Sequence, residues 1–167
     1  MDYSIIYSSG TGNTVILAEA IKEALPTQKC KYFGVSDGEE IQTKLVFAGF
    51  WTNQGTCDSS AKAFLKTLKN KDVFLFGTAG FGGNQEYYDK ILDAVQENIG
   101  LSNKLIGTYM CQGKMGIAVR EKYEKMLAED PDNLNVQDMI DNFDRAATHP
   151  DLTDCEKLKQ KVRALND

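Results

Sequence analysis

Short apolar runs alternate with helically spaced apolar stripes over the first two thirds of the chain. Residues 3–7, Tyr-Ser-Ile-Ile-Tyr, predict a buried strand. Residues 13–25 then carry Leu17, Ala20, Ile21 and Ala24 on one helical face, and Pro26 ends that helix. Residues 29–33 predict a second strand. Residues 45–50 are almost wholly apolar, as expected of a strand covered on both faces. Asp58 suits the N-cap of a helix striped by Ala61, Phe64, Leu65 and Leu68. A fourth strand over 73–76 precedes a helix marked by Tyr88, Ile91, Leu92, Val95 and Ile99, with Gly100 as its stop. Residues 104–111 make the fifth strand.

Strands alternating with helices imply right-handed crossovers and a parallel sheet. The predicted fold class is therefore α/β, a doubly wound five-stranded parallel sheet in a three-layer α/β/α sandwich. Beyond Cys111 the alternation stops. Val119, Tyr123, Met126 and Leu127 mark one helix, and Val136, Met139, Ile140 and Phe143 another. Leu158, Val162 and Leu165 mark a third. Such a sheet needs only one further helix, so residues 1–167 read as one domain, with 113–150 as a helical addition.

A chain of 167 residues fits one domain and buries a sizeable core unaided. Its longest uncharged stretch, 3–18, is broken by Ser, Gly, Thr and Asn, so no membrane span is expected. With no basic leader at the start, the expected location is the cytoplasm. The formal charge is −5, and residues 1–120 balance at twelve bases and twelve acids, so the deficit lies in the last 47 residues. An acidic end argues against nucleic acid and suits a basic protein partner, although a merely solvated surface is the plainer expectation. Cys30, Cys57, Cys111 and Cys155 are far apart and form no Cys-x-x-Cys pair, and one histidine, His149, is too few for a His-rich metal site. No metal and no catalytic acid or base is expected.

A parallel sheet binds ligands beyond the carboxyl ends of its strands, so the loops 8–14, 50–57 and 77–87 carry the candidate chemistry. In the first, Ser8, Ser9, Gly10, Thr11, Gly12, Asn13 and Thr14 join a strand to a helix start. Outward N–H groups, the helix dipole and hydroxyl donors suit a phosphate there. No Gly-Lys-Ser/Thr follows, which excludes a triphosphate P-loop, and Val15 stands where a dinucleotide fingerprint needs its third glycine. A monophosphate site survives.

Residues 9–14, Ser-Gly-Thr-Gly-Asn-Thr, resemble the Thr/Ser-x-Thr-Gly-Asn-Thr phosphate loop of flavodoxins, and the resemblance covers roughly residues 1–112. Gly49-Phe-Trp-Thr-Asn-Gln-Gly-Thr-Cys57, Phe76-Gly-Thr-Ala-Gly-Phe-Gly-Gly83 and Met110-Cys-Gln-Gly-Lys-Met115 are similar to a narrower flavodoxin subfamily. That subfamily includes the flavodoxin-like partner encoded beside bacterial bilirubin reductase. The resemblance implies a flavodoxin-like fold and noncovalent FMN. The implied ring contacts are Phe50, Trp51, Thr52 and Asn53 on one loop, with Thr78, Ala79, Gly80, Phe81, Gly82 and Gly83 on the other. Trp51 is placed to stack on the ring. Phe81, Tyr87 or Tyr88 would cover its opposite face, although Tyr88 also continues a core stripe.

The implied activity is electron transfer between a reductase and an acceptor enzyme, with a bilirubin-type tetrapyrrole reductase as one such acceptor. The alternatives are an FMN-dependent NAD(P)H oxidoreductase acting on a small organic substrate or quinone, and a module that has lost its cofactor. Lys114 is placed to meet a substrate or a partner's carboxylate; a solvated lysine is the plainer expectation. Many flavodoxins place a glycine after the stacking aromatic, where a flipped peptide supports the one-electron-reduced flavin. Thr52 and Asn53 stand there in this chain, and a β-branched residue resists positive φ. Anaerobic photoreduction is therefore expected to show little blue radical absorbance; abundant blue radical would contradict this.

Overall fold

A computed structural model describes residues 1–166. Five parallel strands form the sheet: β1 (Tyr3–Tyr7), β2 (Cys30–Gly34), β3 (Leu45–Asn53), β5 (Asp72–Ala79) and β6 (Lys104–Gln112), in the order β2-β1-β3-β5-β6. A two-residue β4 (Thr56–Cys57) pairs antiparallel with the end of β3. The predicted five-stranded doubly wound sheet is what forms. β1 has β2 on one side and β3 on the other, so the connections part at its carboxyl end. The crevice for ligands opens at that switch in strand order.

The three central strands are buried along nearly their whole length, because helices cover both faces. Alternate side chains divide between two cores. Ile5, Phe47 and Phe74 face α1 (Asn13–Ala24) and α6 (Leu152–Arg163), meeting Leu17, Ile21, Leu158 and Val162. Ile6, Val46 and Leu75 face α2 (Ser59–Thr67) and α3 (Gln85–Gln96), meeting Phe64, Leu65, Ile91 and Val95.

After β6 come α4 (Ile117–Glu129) and α5 (Leu134–Ala146), which pack against each other around a small cluster of their own: Tyr123, Val136 and Ile140. Helix α6 lies against α1 and completes that face of the sheet. Among the described residues no helix is long and apolar enough to cross a membrane.

The strands run farther than the apolar runs predict. β5 continues through Thr78 and Ala79, and β3 through Trp51, Thr52 and Asn53. The expected loop over 50–57 is thus a hairpin: Thr52 pairs with Cys57 and Asn53 with Thr56. Its two-residue turn, Gln54 and Gly55, has positive φ at both positions, the geometry whose twist matches paired strands. Positive φ therefore falls on Gln54 and Gly55, not on Thr52 or Asn53.

Candidate flavin site

The first loop opens onto α1, whose N-cap is Gly12 with φ of 87°, and no side chain caps the helix among the described residues. By contrast, α2, α3, α5 and α6 are capped by Asp58, Asn84, Asn133 and Asp151. Only a glycine takes that left-handed turn without strain. Ser9 Oγ accepts the Gly12 N–H at 3.1 Å, which ties the loop into shape. The amides that start α1 keep their partial positive charge for a ligand.

Six of the seven residues expected to bind phosphate keep an open or half-open position or line the crevice; Thr14 differs. It is fully buried, and its hydroxyl donates to the Phe50 carbonyl at 3.3 Å. That bond ties the phosphate loop to β3, leaving the Thr14 backbone N–H as its means of reaching a ligand. Asn13 is buried as well. Its Nδ2 donates to the Lys114 carbonyl at 2.8 Å and to Thr11 Oγ1 at 2.9 Å, while its Oδ1 has no partner among the described residues.

A cavity of about 570 Å³ opens at this loop, bounded by Thr11, Asn13, Trp51, Thr52, Gly80, Phe81, Tyr87 and the strap 113–116. The Trp51 indole forms one wall and lies over Gly10, where a Cβ would come within 3.7 Å of its Cε2. Asp58 fixes the indole's backbone: the Trp51 N–H donates to Asp58 Oδ2 at 3.3 Å, and the Asp58 N–H donates to the Trp51 carbonyl at 3.0 Å. On the far side, Phe81 is exposed and Tyr87 half-buried, whereas Tyr88 is in the core.

Phe50 does not present its side chain to this cavity. It is buried, and its ring fills the space beside Gly77 that any Cβ there would need. The alternation that turns Trp51 toward the cavity turns Phe50 away from it. Thr78 and Ala79 form the floor, both buried. Gly80 lines the wall, whereas Gly82 packs against Tyr88 and Gln112, and Gly83, with φ of 81°, makes the turn into α3. Glu86 is spent on an exposed pair with Lys90 at 2.9 Å.

Residues from beyond the sheet complete the wall, and the pattern of the chain gave little sign of them. The Gly113 N–H donates to the Ala79 carbonyl at 2.9 Å, which steers the strap across the end of β5. Met115 packs on Gly80. Gln112 Nε2 and Asn142 Nδ2 both donate to the Gly80 carbonyl, at 2.9 and 3.1 Å, so α5 holds the third loop in place. The only sequence signal was the motif over 110–115; Asn142 had none.

The site has the donors and shape a flavin mononucleotide requires. Neutral amides suit its phosphate, and the aromatic walls suit a flat ring. Two buried acceptors without partners among the described residues, Asn13 Oδ1 and Thr52 Oγ1, suit ligand hydroxyl or N–H donors, since a buried polar atom left unpaired costs about 1–3 kcal/mol.

A family model described as a flavodoxin domain matches residues 4–163. The chain belongs to the flavodoxin family. FMN is accordingly its cofactor. Two curated relatives are described as flavodoxin-like domain-containing protein BilS. The one from Clostridium symbiosum is 40% identical over 92% of this chain and 90% of its own length. The one from Clostridioides difficile is 31% identical over 88% and 86%. Among solved structures, oxidised flavodoxin 2 from Bacillus cereus aligns over 99% of this chain and 98% of its own at a TM-score of 0.57 and 15% identity. A flavoprotein from Lactobacillus acidophilus in complex with FMN covers 66% of this chain and 93% of its own, at 0.51 and 16%. The flavodoxin fold is shared with both.

The cavity wall of this flavodoxin holds no carboxylate, histidine or thiol among the described residues. His149 lies elsewhere, with its Nδ1 2.6 Å from Asp154 Oδ2 inside the cap of α6. Cys57 and Cys111 are buried, and burial pushes both thiols up from their ordinary values, Cys111 strongly. Only a thiolate is nucleophilic. A thiol reagent at pH 8 should therefore leave Cys111 unmodified in the folded protein and label it on denaturation, as peptide mass mapping would record.

Proposed function

We propose that this flavodoxin is an FMN-dependent electron shuttle between a reductase and an acceptor enzyme. The carrying observation is the composition of the cavity wall. Amides, hydroxyls and aromatic rings line it, and its only ionisable side chains among the described residues are Tyr87 and Lys114. Burial raises the Tyr87 phenol above its ordinary value, which makes it a poorer proton donor to a substrate. A positioned acid or base would add to the rate of an oxidoreductase acting on its own substrate, and no carboxylate, histidine or thiol lines this wall among the described residues; a carrier needs only to hold its cofactor. Bound here, FMN supplies the redox chemistry itself.

The chain's own groups then have separate tasks. The amides at the start of α1 hold the phosphate. Trp51 and Phe81 border the ring and limit water at its faces, and Asn13 and Thr52 accept hydrogen bonds from ligand donors. Charge supports a protein partner over a small substrate. Residues 126–144 contain six acids and no base, and they lie on the α4–α5 hairpin that joins the cavity wall through Val119 and Asn142. A basic surface is the complement, steered by that field.

For the acceptor we propose a tetrapyrrole reductase of the bilirubin type, supported by the resemblance of the three loop motifs and by the likeness to the BilS relatives. The test is anaerobic reduction of the FMN-loaded protein. NAD(P)H alone should bleach the flavin slowly, a flavodoxin reductase quickly, and the reduced protein should reoxidise when a bilirubin-type reductase and its substrate are added. Fast bleaching by NAD(P)H alone would favour the stand-alone oxidoreductase. Failure to reoxidise would remove the proposed acceptor.

A further inference from the structure

Resting on the FMN reading and carrying it further, we propose that Lys114 is an FMN-selectivity residue whose ammonium group pairs with the cofactor's phosphate. Among the described residues lining the cavity, Lys114 is the one base. Its backbone is pinned from both sides. The N–H donates to the His149 carbonyl at 3.0 Å, and the carbonyl accepts from Asn13 Nδ2 at 2.8 Å and Thr11 Oγ1 at 3.4 Å. These last two belong to the phosphate loop itself, so the Lys114 Cα is held within one hydrogen-bonded residue of it. The side chain is exposed and has no ion-pair partner among the described residues. A flexible four-carbon stem fixed at that point is long enough to bring its ammonium to the mouth of the loop.

The electrostatics give such a charge a purpose. The start of α1 offers the equivalent of about half a positive charge, whereas a phosphate monoester near pH 7 carries about −1.5 to −2. The chain is net negative, and the flanking hairpin carries much of the excess. A loop of neutral donors alone leaves most of the dianion uncompensated in a negative field, and one mobile ammonium at its rim offsets that. Riboflavin, which has the same ring and ribityl chain without phosphate, gains nothing from it.

The experiment is titration of FMN and of riboflavin, followed by flavin fluorescence quenching, on the wild-type protein, Lys114→Gln and Lys114→Arg at low and high salt. Both substitutions keep the backbone bonds of residue 114. Lys114→Gln should lose about tenfold or more in FMN affinity, keep its riboflavin affinity, and show a flatter salt dependence for FMN. Lys114→Arg should stay near wild type. Equal FMN affinity in wild type and Lys114→Gln overturns the proposal, as does a parallel loss of FMN and riboflavin. Wild-type protein that binds neither flavin overturns the cofactor reading itself, a separate result that needs no variant.

Discussion

Replacing Trp51 by Ala should lower FMN affinity by about 150- to 700-fold while leaving the protein folded. The indole is half-buried, lies over Gly10 and forms one whole wall of the cavity. Covering one ring face removes on the order of 100 Å² of apolar surface from water, worth about 2.5 kcal/mol at 25 cal/mol per Å². Offset stacking adds roughly 0.5–1.5 kcal/mol. Trp51→Phe should recover most of the loss. Because the ring is common to both ligands, riboflavin should weaken as much as FMN, the opposite of the pattern expected for Lys114. Fluorescence titration of the two flavins measures both effects, and a loss below about threefold would show that the indole does not stack.

Asp58→Ala should cost about 3 kcal/mol of stability, and with it roughly 10 °C in melting temperature for a domain this size. Asp58 is buried, with 2% of its surface exposed. Its Oδ1 accepts the Ser60 and Ala61 N–H groups at the start of α2, both at 3.1 Å, and its Oδ2 accepts the Trp51 N–H. The truncation removes a helix cap, worth about 0.5–2 kcal/mol, and strips the Trp51 amide of its acceptor. Asp58→Asn keeps a capping oxygen and should lose less than half as much. Since the same carboxylate fixes the backbone of Trp51, Asp58→Ala should also weaken FMN binding severalfold at a temperature where it is folded. Thermal melts give the first effect and flavin titration below the melt the second; a variant as stable as wild type would show that the cap contributes nothing.

How far the chain could be read in advance varied from element to element. The central strands were legible because a strand covered on both faces must be apolar throughout, as 45–50 is. The α1 stripe, with Leu17 and Ile21 now buried against the sheet, was legible because one helical face had to be. The end of β3 was not. Trp51, Thr52 and Asn53 read as loop because pairing continues there through backbone bonds to Thr56 and Cys57, and backbone bonds leave no mark on side-chain hydrophobicity. Phe50 belongs to a motif that implies a flavin contact, but the alternation of the strand turns its side chain into the core. Thr14 likewise lies in the phosphate motif but turns its hydroxyl to β3. Asn142 could not be anticipated, since its bond to Gly80 spans 62 residues.

Local sequence alone determined the alternation of strands and helices, the opening of α1 on Gly-x-Gly, the absence of a P-loop lysine and the position of Trp51 just past the apolar run 45–50, because each depends on side chains only a few positions apart. Tertiary structure alone decided what lines the cavity: that the strap 113–116 crosses to Thr11 and Asn13, that α5 anchors the third loop, and that one lysine stands beside the first loop. Those contacts join segments some 30 to 100 residues apart. They exist only because the β6 edge of the sheet delivers the returning chain to the mouth of the crevice.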